Sequence, residues 1–216
     1  MVKTRFVDEG RWLNAFAGEF LVACPRCAAV ASVRRDWDDE RRRWCPASVV
    51  CPGCGFARRE PAEWAGPVCV RARCRCGGFS RPLRAGQHLP AAPRARTMNV
   101  TCDDCGHVTT AAVTVHSRGV PGALVDSCFG LPLALRTPCA GLTLWAFNAA
   151  HLAYLKSFLG ADLRERQSGA YSRSVVARLP GRLKQAKHRD EALRAIRRLE
   201  GVVLGAGGRG NRLALG

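Results

Sequence analysis

The chain has 216 residues, with 34 basic against 17 acidic side chains and a formal net charge of +17. No stretch approaches the roughly 18 consecutive apolar residues of a membrane-spanning helix, and the start, MVKTRFVDEG, lacks the apolar core of a secretory signal. These patterns exclude a membrane protein and predict a cytoplasmic one. In such a chain, twelve cysteines favour metal ligation over disulfides.

The first segment, residues 1–20, is predicted to be a lead-in helix. Trp12, Leu13, Phe16 and Phe20 fall on one helical face, and Asp8 is available as an N-cap.

Residues 21–118 carry four closely spaced cysteine pairs, and three of the pairs are followed by glycine. The gap between the first two pairs is 23 residues and that between the last two is 25. This repeat predicts two four-cysteine sites in small β-hairpins, one over 21–66 and one over 67–118. Because four thiolates suit tetrahedral zinc in structural sites, we expect two Zn²⁺ ions. The expected ligands are Cys24, Cys27, Cys51 and Cys54 for the first and Cys74, Cys76, Cys102 and Cys105 for the second.

Other interpretations of the cysteines stay open. Redox-active pairs, iron–sulfur ligation and disulfides are alternatives to zinc. Cys45 lies near the first set and Cys69 near the second, so either is a possible substitute ligand. Cys128 and Cys139 stand alone and are expected to be buried as small apolar residues, although they too are open as ligands.

A mainly helical module is predicted over 119–200, and a short strand at 142–147 within it precedes the first helix. Leu152, Leu155, Leu159 and Leu163 repeat at helical spacing, which predicts a helix over 148–167 with Asn148 as its N-cap. A linker is predicted over 168–179, a basic helix over 180–200 and a disordered tail over 201–216. The predicted fold class is therefore α+β, with tandem zinc ribbons followed by a helical C-terminal module.

The cysteine pairs resemble those of zinc ribbons of the transcription-factor-IIB type, which carry two C-P-x-C-G turns. The closest correspondence is Cys51-Pro52-Gly53-Cys54-Gly55. The C-terminal half is similar to uncharacterised bacterial proteins that contain such ribbons, at 129–133, 144–148 and 163–166. The resemblance implies a bacterial protein with structural zinc, in which the ribbons and residues 120–200 belong together. It implies no particular activity.

The charge distribution indicates a polyanionic partner, since residues 161–216 alone hold 13 basic and 5 acidic side chains. We therefore expect association with DNA or RNA, mainly through phosphates, in transcription or replication. A solvated basic face is the alternative for each cluster. The candidate contact residues are Arg41, Arg42, Arg43, Arg71, Arg73, Arg182, Lys184, Lys187, Arg194 and Arg198.

A protein-interaction scaffold without nucleic-acid contact is the alternative function. An enzyme is not expected, because no catalytic motif is present and four cysteines leave zinc no open position. Asn148 and His151 lie one helical turn apart, but we interpret them as a helix cap and a half-buried histidine. No small-molecule substrate is expected.

Overall fold

The computed structural model describes most of the chain, namely residues 4–59, 68–74, 83–89, 97–102, 104–112, 115–118, 124–166 and 174–206. The chain divides into two compact units. The first comprises Met1–Arg59 and Leu131–Gly216, and the second comprises Glu60–Gly130. The predicted segments 21–66 and 119–200 thus fall largely in the first unit and 67–118 in the second. Within the described residues, no helix has both the length and the apolar character needed to cross a bilayer.

Within the described residues, the first unit contains ten short strands. In chain order they are β1 (Arg5–Asp8), β2 (Glu19–Ala23), β3 (Val30–Arg34), β4 (Trp37–Asp38), β5 (Arg43–Trp44), β6 (Ser48–Val50), β7 (Ala57–Arg59), β13 (Arg136–Cys139), β14 (Leu142–Trp145) and β15 (Leu163–Arg166). The second unit contributes β8 (Val68–Cys74), β9 (Leu83–Leu89), β10 (Thr97–Thr101), β11 (Val108–Ala112) and β12 (Val115–Arg118).

Most strands of the first unit pair as antiparallel hairpins. A four-stranded sheet has the order β2-β3-β6-β7, and two-stranded sheets form from β4 with β5 and from β13 with β14. The exception is β1, which pairs in parallel with β15 and so joins the start of the chain to the C-terminal part. Alternating burial along β1 and β2 fits strands that turn one face to a core.

Four α-helices complete the first unit: α1 (Ala149–Gly160), α2 (Val175–Arg178), α3 (Gly181–Lys184) and α4 (Arg189–Ala206). Asn148 caps α1, since its side chain accepts a hydrogen bond from the His151 backbone at 2.9 Å. The apolar core lies where α1 and α4 pack on each other and on β13. Its fully buried members include Leu155, Leu159 and Ile196.

The described residues of the second unit lie mostly in strands. Its sheets are β12-β8-β9 and β10-β11, all antiparallel, with a register shift between Val115 and Ser117. Together the units give a mixed α and β fold of small antiparallel strand pairs with a C-terminal helix, which confirms the predicted class at this level.

The lead-in helix predicted over 1–20 is not formed in the described residues 4–20. They form β1, a single turn of 3₁₀ helix at Leu13–Phe16 and the start of β2. Asp8 is buried and accepts hydrogen bonds from the Gly10 backbone, the Tyr154 hydroxyl and the Ser174 hydroxyl, so it caps no helix. Strand pairing and this buried contact outweigh the helical spacing of the apolar residues.

The C-terminal elements also differ from their predicted bounds. α1 ends at Gly160, because Leu163–Arg166 pairs with β1. The predicted linker contains α2, whose Ser174 cap and buried valines hold it in the core. The basic helix is divided into α3, a 3₁₀ turn and α4. α4 continues to Ala206 because Val202 and Val203 also pack on the core, and the remaining tail, 207–216, lies outside the described residues.

Candidate metal centre

Two hairpin turns of the first unit carry the first predicted cysteine set. Cys24 and Cys27 lie between β2 and β3, and Cys51 and Cys54 lie between β6 and β7. Since β3 is antiparallel to both β2 and β6, strands β2 and β6 run in the same direction. Both turns therefore lie at the same end of the sheet, which brings together two cysteine pairs that are separated by 23 residues in sequence.

The four sulfur atoms of this cluster all lie within 4.8 Å of one another. Cys24 Sγ is 3.6 Å from Cys54 Sγ, and Cys27 Sγ is 3.6 Å from Cys51 Sγ. With Zn–S bonds of about 2.3 Å, the edge of a tetrahedral thiolate site measures about 3.8 Å. A disulfide requires about 2.05 Å between sulfurs. The spacing therefore fits a four-coordinate zinc site and excludes disulfides between these pairs.

Both turns have the same backbone geometry. The Cys51 backbone donates to the Phe56 carbonyl at 2.8 Å and accepts from Gly55 at 3.0 Å, and the Cys24 backbone makes the same pair of bonds with Ala29 and Ala28. Gly55 has a φ of 71°, and Ala28, in the equivalent place, has a φ of 57°. A residue in the left-handed conformation thus ends each turn. Glycine, which adopts this conformation at low cost, occupies the position only in the Cys51–Cys54 turn.

Gly53 leaves room for the sulfur cluster. A Cβ on this residue would lie 3.2 Å from the Ala29 Cβ and 3.7 Å from the sulfurs of both Cys27 and Cys51. The middle of the Cys51–Cys54 turn therefore lies directly over the sulfurs. Gly53 is part of the C-P-G-C sequence, but the cysteine spacing alone does not predict that this glycine lies against the sulfurs.

The thiols differ in their ease of ionisation. Burial raises the pKa of Cys51 to about 12. Burial also opposes ionisation of Cys24, but hydrogen bonds from the Arg26 and Cys27 backbones lower its pKa to about 7, and the Arg26 N–H lies 3.4 Å from the sulfur. A cation at the centre would favour the thiolate form of all four, since metals bind the deprotonated ligand.

The second predicted cysteine set is only partly described. Cys102 is buried and Cys105 exposed at the turn between β10 and β11. The Cys102 backbone donates to the His107 carbonyl at 2.8 Å and accepts from Gly106 at 3.0 Å, as in the Cys51 turn. Gly106 also has a φ of 71°. Cys74 is the last residue of β8, and Cys76 lies outside the described residues.

The remaining cysteines have different surroundings. Cys45 is not part of the four-sulfur cluster, and its backbone donates to Asp36 in the β4–β5 hairpin. Cys139 is buried in the apolar core, and burial raises the pKa of its thiol. Cys128 is buried in a turn where the Asp126 carboxylate accepts from the backbones of Cys128 and Phe129.

The predicted nucleic-acid contacts are scattered over several elements. Arg41, Arg42 and Arg43 are exposed at the turn and second strand of the β4–β5 hairpin, with Arg41 paired to Asp38 at 3.0 Å. Arg182, Lys187 and Arg194 are also exposed on the C-terminal helices.

Two of the predicted contacts have structural roles. Lys184 donates to the Ala177 carbonyl at 2.7 Å, and Arg198 donates to the Pro138 carbonyl at 3.1 Å. The side chains of Arg71 and Arg73 lie outside the described part of the protein.

Comparisons with protein-family models, with curated proteins and with solved structures find no match to this chain. The geometry of its own side chains is therefore the basis for any functional assignment.

Proposed function

We propose that this protein is a zinc-binding protein with tandem zinc ribbons of the transcription-factor-IIB type. The observation that carries the proposal is the cluster of four sulfur atoms within 4.8 Å of one another, contributed by two hairpin turns. A metal ion bound by these sulfurs would cross-link the two turns of the four-stranded sheet.

The metal in this proposal is structural rather than catalytic. A catalytic zinc keeps one position for water or substrate, whereas four thiolates complete its coordination. We accordingly propose that the metal centre has no enzymatic activity.

A second zinc ion is proposed for the second unit. The support is the repeated turn geometry, because Cys102 and Gly106 reproduce the hydrogen bonds of Cys51 and Gly55. The ligands would be Cys102 and Cys105 with Cys74 and Cys76, the last of which lies outside the described residues.

Metal analysis of purified variants tests both sites. We expect the wild-type protein to contain about two zinc ions per chain, and Cys51→Ser and Cys102→Ser to lose about one each. Cys45→Ser is the matched control and should retain both, because Cys45 lies outside the sulfur cluster. Unchanged zinc in Cys51→Ser would contradict the first site, and unchanged zinc in Cys102→Ser would contradict the second.

We further propose that the protein associates with nucleic acid through the β4–β5 hairpin. Trp37 and Trp44 face each other across the two strands with ring centroids 5.3 Å apart, and Trp37 remains 46% exposed. Exposed aromatic rings beside cations are the elements that bind single strands, by base stacking and phosphate contact. Arg42 and Arg43 are exposed next to this pair and have no ion-pair partner among the described residues.

The same hairpin carries Asp36, Asp38, Asp39 and Glu40 against three arginines, so residues 36–45 have a formal net charge of −1. Hydrogen bonds from Arg41 and the charge of Arg43, which lies opposite Asp38 in the strand register, lower the pKa of the Asp38 carboxyl. A phosphate contact from Arg43 would therefore compete with this carboxylate, whereas Arg42 has no ion-pair partner among the described residues. We therefore propose weak, largely sequence-independent binding, with further phosphate contacts from exposed residues of the C-terminal helices such as Lys187 and Arg194.

Fluorescence anisotropy with labelled single- and double-stranded DNA and RNA tests this proposal across a salt titration. We expect a micromolar or tighter Kd at low salt for a single strand. Changing Arg42 and Arg43 together to Gln should reduce the salt slope by about 1.4, at about 0.7 per phosphate contact on a single strand. Trp37→Ala should weaken single-strand binding about fivefold or more, through loss of stacking.

Arg136→Gln is the matched control, since Arg136 is exposed on β13 outside the hairpin, and should leave the affinity nearly unchanged. Absence of binding at low salt would contradict the proposal and favour the alternative of a protein-interaction scaffold. Binding that is insensitive to the hairpin substitutions would contradict the assignment to β4–β5.

A further inference from the structure

A partly open cavity of about 380 Å³ lies in the first unit, walled mainly by its C-terminal elements. Its wall is mainly apolar and comes from the 3₁₀ turn at Leu13–Phe16, from β14, α1, α2 and α3, and from the loop before α3. The residues that matter for its chemistry are Trp145, His151, Leu155, Arg178 and Leu183. Pockets for small ligands range over roughly 300–1,000 Å³ and combine an apolar wall with a few placed polar groups. This cavity has that size and composition.

His151 provides the buried polar group of the cavity wall. The residue is only 2% exposed, and its ring stacks on Phe16 with centroids 4.9 Å apart. Its Nδ1 accepts a hydrogen bond from the Phe147 backbone at 3.2 Å. In a neutral imidazole the other nitrogen then carries the proton. His151 Nε2 is therefore a donor, and it has no hydrogen-bond partner among the described residues.

An unsatisfied buried donor is unfavourable by about 1–3 kcal/mol unless a ligand or water accepts from it. Burial lowers the pKa of His151 to about 4, so the ring is neutral at physiological pH and Nε2 keeps its proton.

Arg178 adds a positive charge to the same cavity. Its side chain lines the cavity yet is exposed, so it lies toward solvent, and it has no ion-pair partner in the described parts of the chain. Among the described residues, no other charged side chain lines this wall. The polar side chains of the lining are thus a buried donor, an exposed cation and the exposed hydroxyl of Thr143, surrounded by aliphatic groups and one indole.

We propose that this cavity binds a small apolar carboxylic acid, with the hydrocarbon part against the leucines and the carboxylate held by His151 Nε2–H and Arg178. The volume suits a molecule of roughly ten to fifteen non-hydrogen atoms, at the small end of ligand sites. This site is separate from the cysteine cluster and does not depend on the proposed function. It also departs from the sequence-based expectation that no small molecule binds.

The test uses octanoate as probe and 1-octanol as its uncharged counterpart, with the full-length protein. We expect octanoate to bind with a Kd of about 1 mM or tighter, as ligand efficiency allows for ten atoms. Binding should shift the ring ¹⁵N resonance of His151 Nε2 in NMR spectra, and octanol should bind at least threefold more weakly than octanoate.

Two arginine variants distinguish the proposed contact from general electrostatic attraction. Arg178→Gln should weaken the binding of octanoate about three- to tenfold, because an exposed charge pair is modest in strength, and should leave the affinity for octanol unchanged. Arg197→Gln is the matched control on the exposed side of α4 and should change neither the affinity for octanoate nor that for octanol. Both positions are exposed, so neither substitution is expected to affect folding.

Several results would overturn the proposal. They are no shift of the His151 ring at millimolar octanoate, equal affinity for octanol, or equal loss of affinity in the two arginine variants. A cavity occupied only by water would give the first of these results.

Discussion

Single residues decide the chemistry of both sites in this protein. Asn148 is a helix cap, as its place before α1 predicts, and its amide also donates to the Phe16 and Glu19 carbonyls at 2.8 and 2.9 Å. His151, one turn later, was predicted to be half-buried but is almost fully enclosed. The sequence cannot show this difference, because the rings that enclose His151 come from Phe16, Trp145 and Phe147 on other elements.

Burial of His151 predicts a specific pH dependence of stability. Its folded pKa of about 4 lies below the ordinary value of 6.5. The unfolded chain therefore binds more protons between these values, and stability falls as the pH falls through 6.5. From about pH 7.5 to about pH 5.5 the expected loss from this residue is about 1.3 kcal/mol.

Denaturant unfolding of wild type and His151→Gln over this pH range measures the effect. The variant should lack the pH-dependent contribution of His151 to the free energy of unfolding. The difference in free energy of unfolding between the two proteins should therefore narrow by about 1.3 kcal/mol toward acid pH. Parallel pH profiles would show that His151 is not buried in its neutral form.

At the scale of elements, the hairpin turns were the most predictable feature. The C-x-x-C-G spacing identifies a tight turn, and the structure forms it at Cys51 and again at Cys102 with equal hydrogen bonds. The turn at Cys24 has the same form although Ala28 replaces the glycine. By contrast, the parallel pairing of β1 with β15 joins residues more than 150 positions apart, and no local pattern announces it.

The turn geometry predicts opposite effects for the same substitution at two glycines. Gly55→Ala should destabilise the protein by about 1 kcal/mol, because Ala is strained at a positive φ. Gly201→Ala should stabilise it by about 0.5–1 kcal/mol, since Gly201 lies inside α4 with free space around it. Equilibrium unfolding of the zinc-loaded protein measures both. A stabilising Gly55→Ala would contradict the left-handed conformation of this turn.

At the scale of the whole molecule, composition and spacing predicted more of the chemistry than of the architecture. The four cysteines of the first site were identified because ligand spacing is a local signal, whereas the way the chain divides is not. The first unit unites Met1–Arg59 with Leu131–Gly216, so its hairpins and helices belong to one unit. The second unit is inserted between these two segments in the sequence. Long-range apolar packing, such as Phe6 against Phe158, decides this arrangement.

Charge is a property of the whole chain and supports the proposed partner only in general terms. Eight thiolates and two zinc ions would lower the formal charge to about +13, which still favours polyanions. Several arginines have structural roles that sequence counting cannot reveal. Arg35 lies over the Trp44 ring at 4.3 Å, and Arg189 pairs with Asp162 at 2.7 Å.

The central claim is that Cys24, Cys27, Cys51 and Cys54 hold a zinc ion in a closed site. Zinc K-edge X-ray absorption of the purified protein tests it most directly. We expect each zinc to have four sulfur neighbours at about 2.3 Å and no nitrogen or oxygen ligand. A spectrum that requires nitrogen or oxygen at the zinc, or a purified protein without zinc, would contradict the claim.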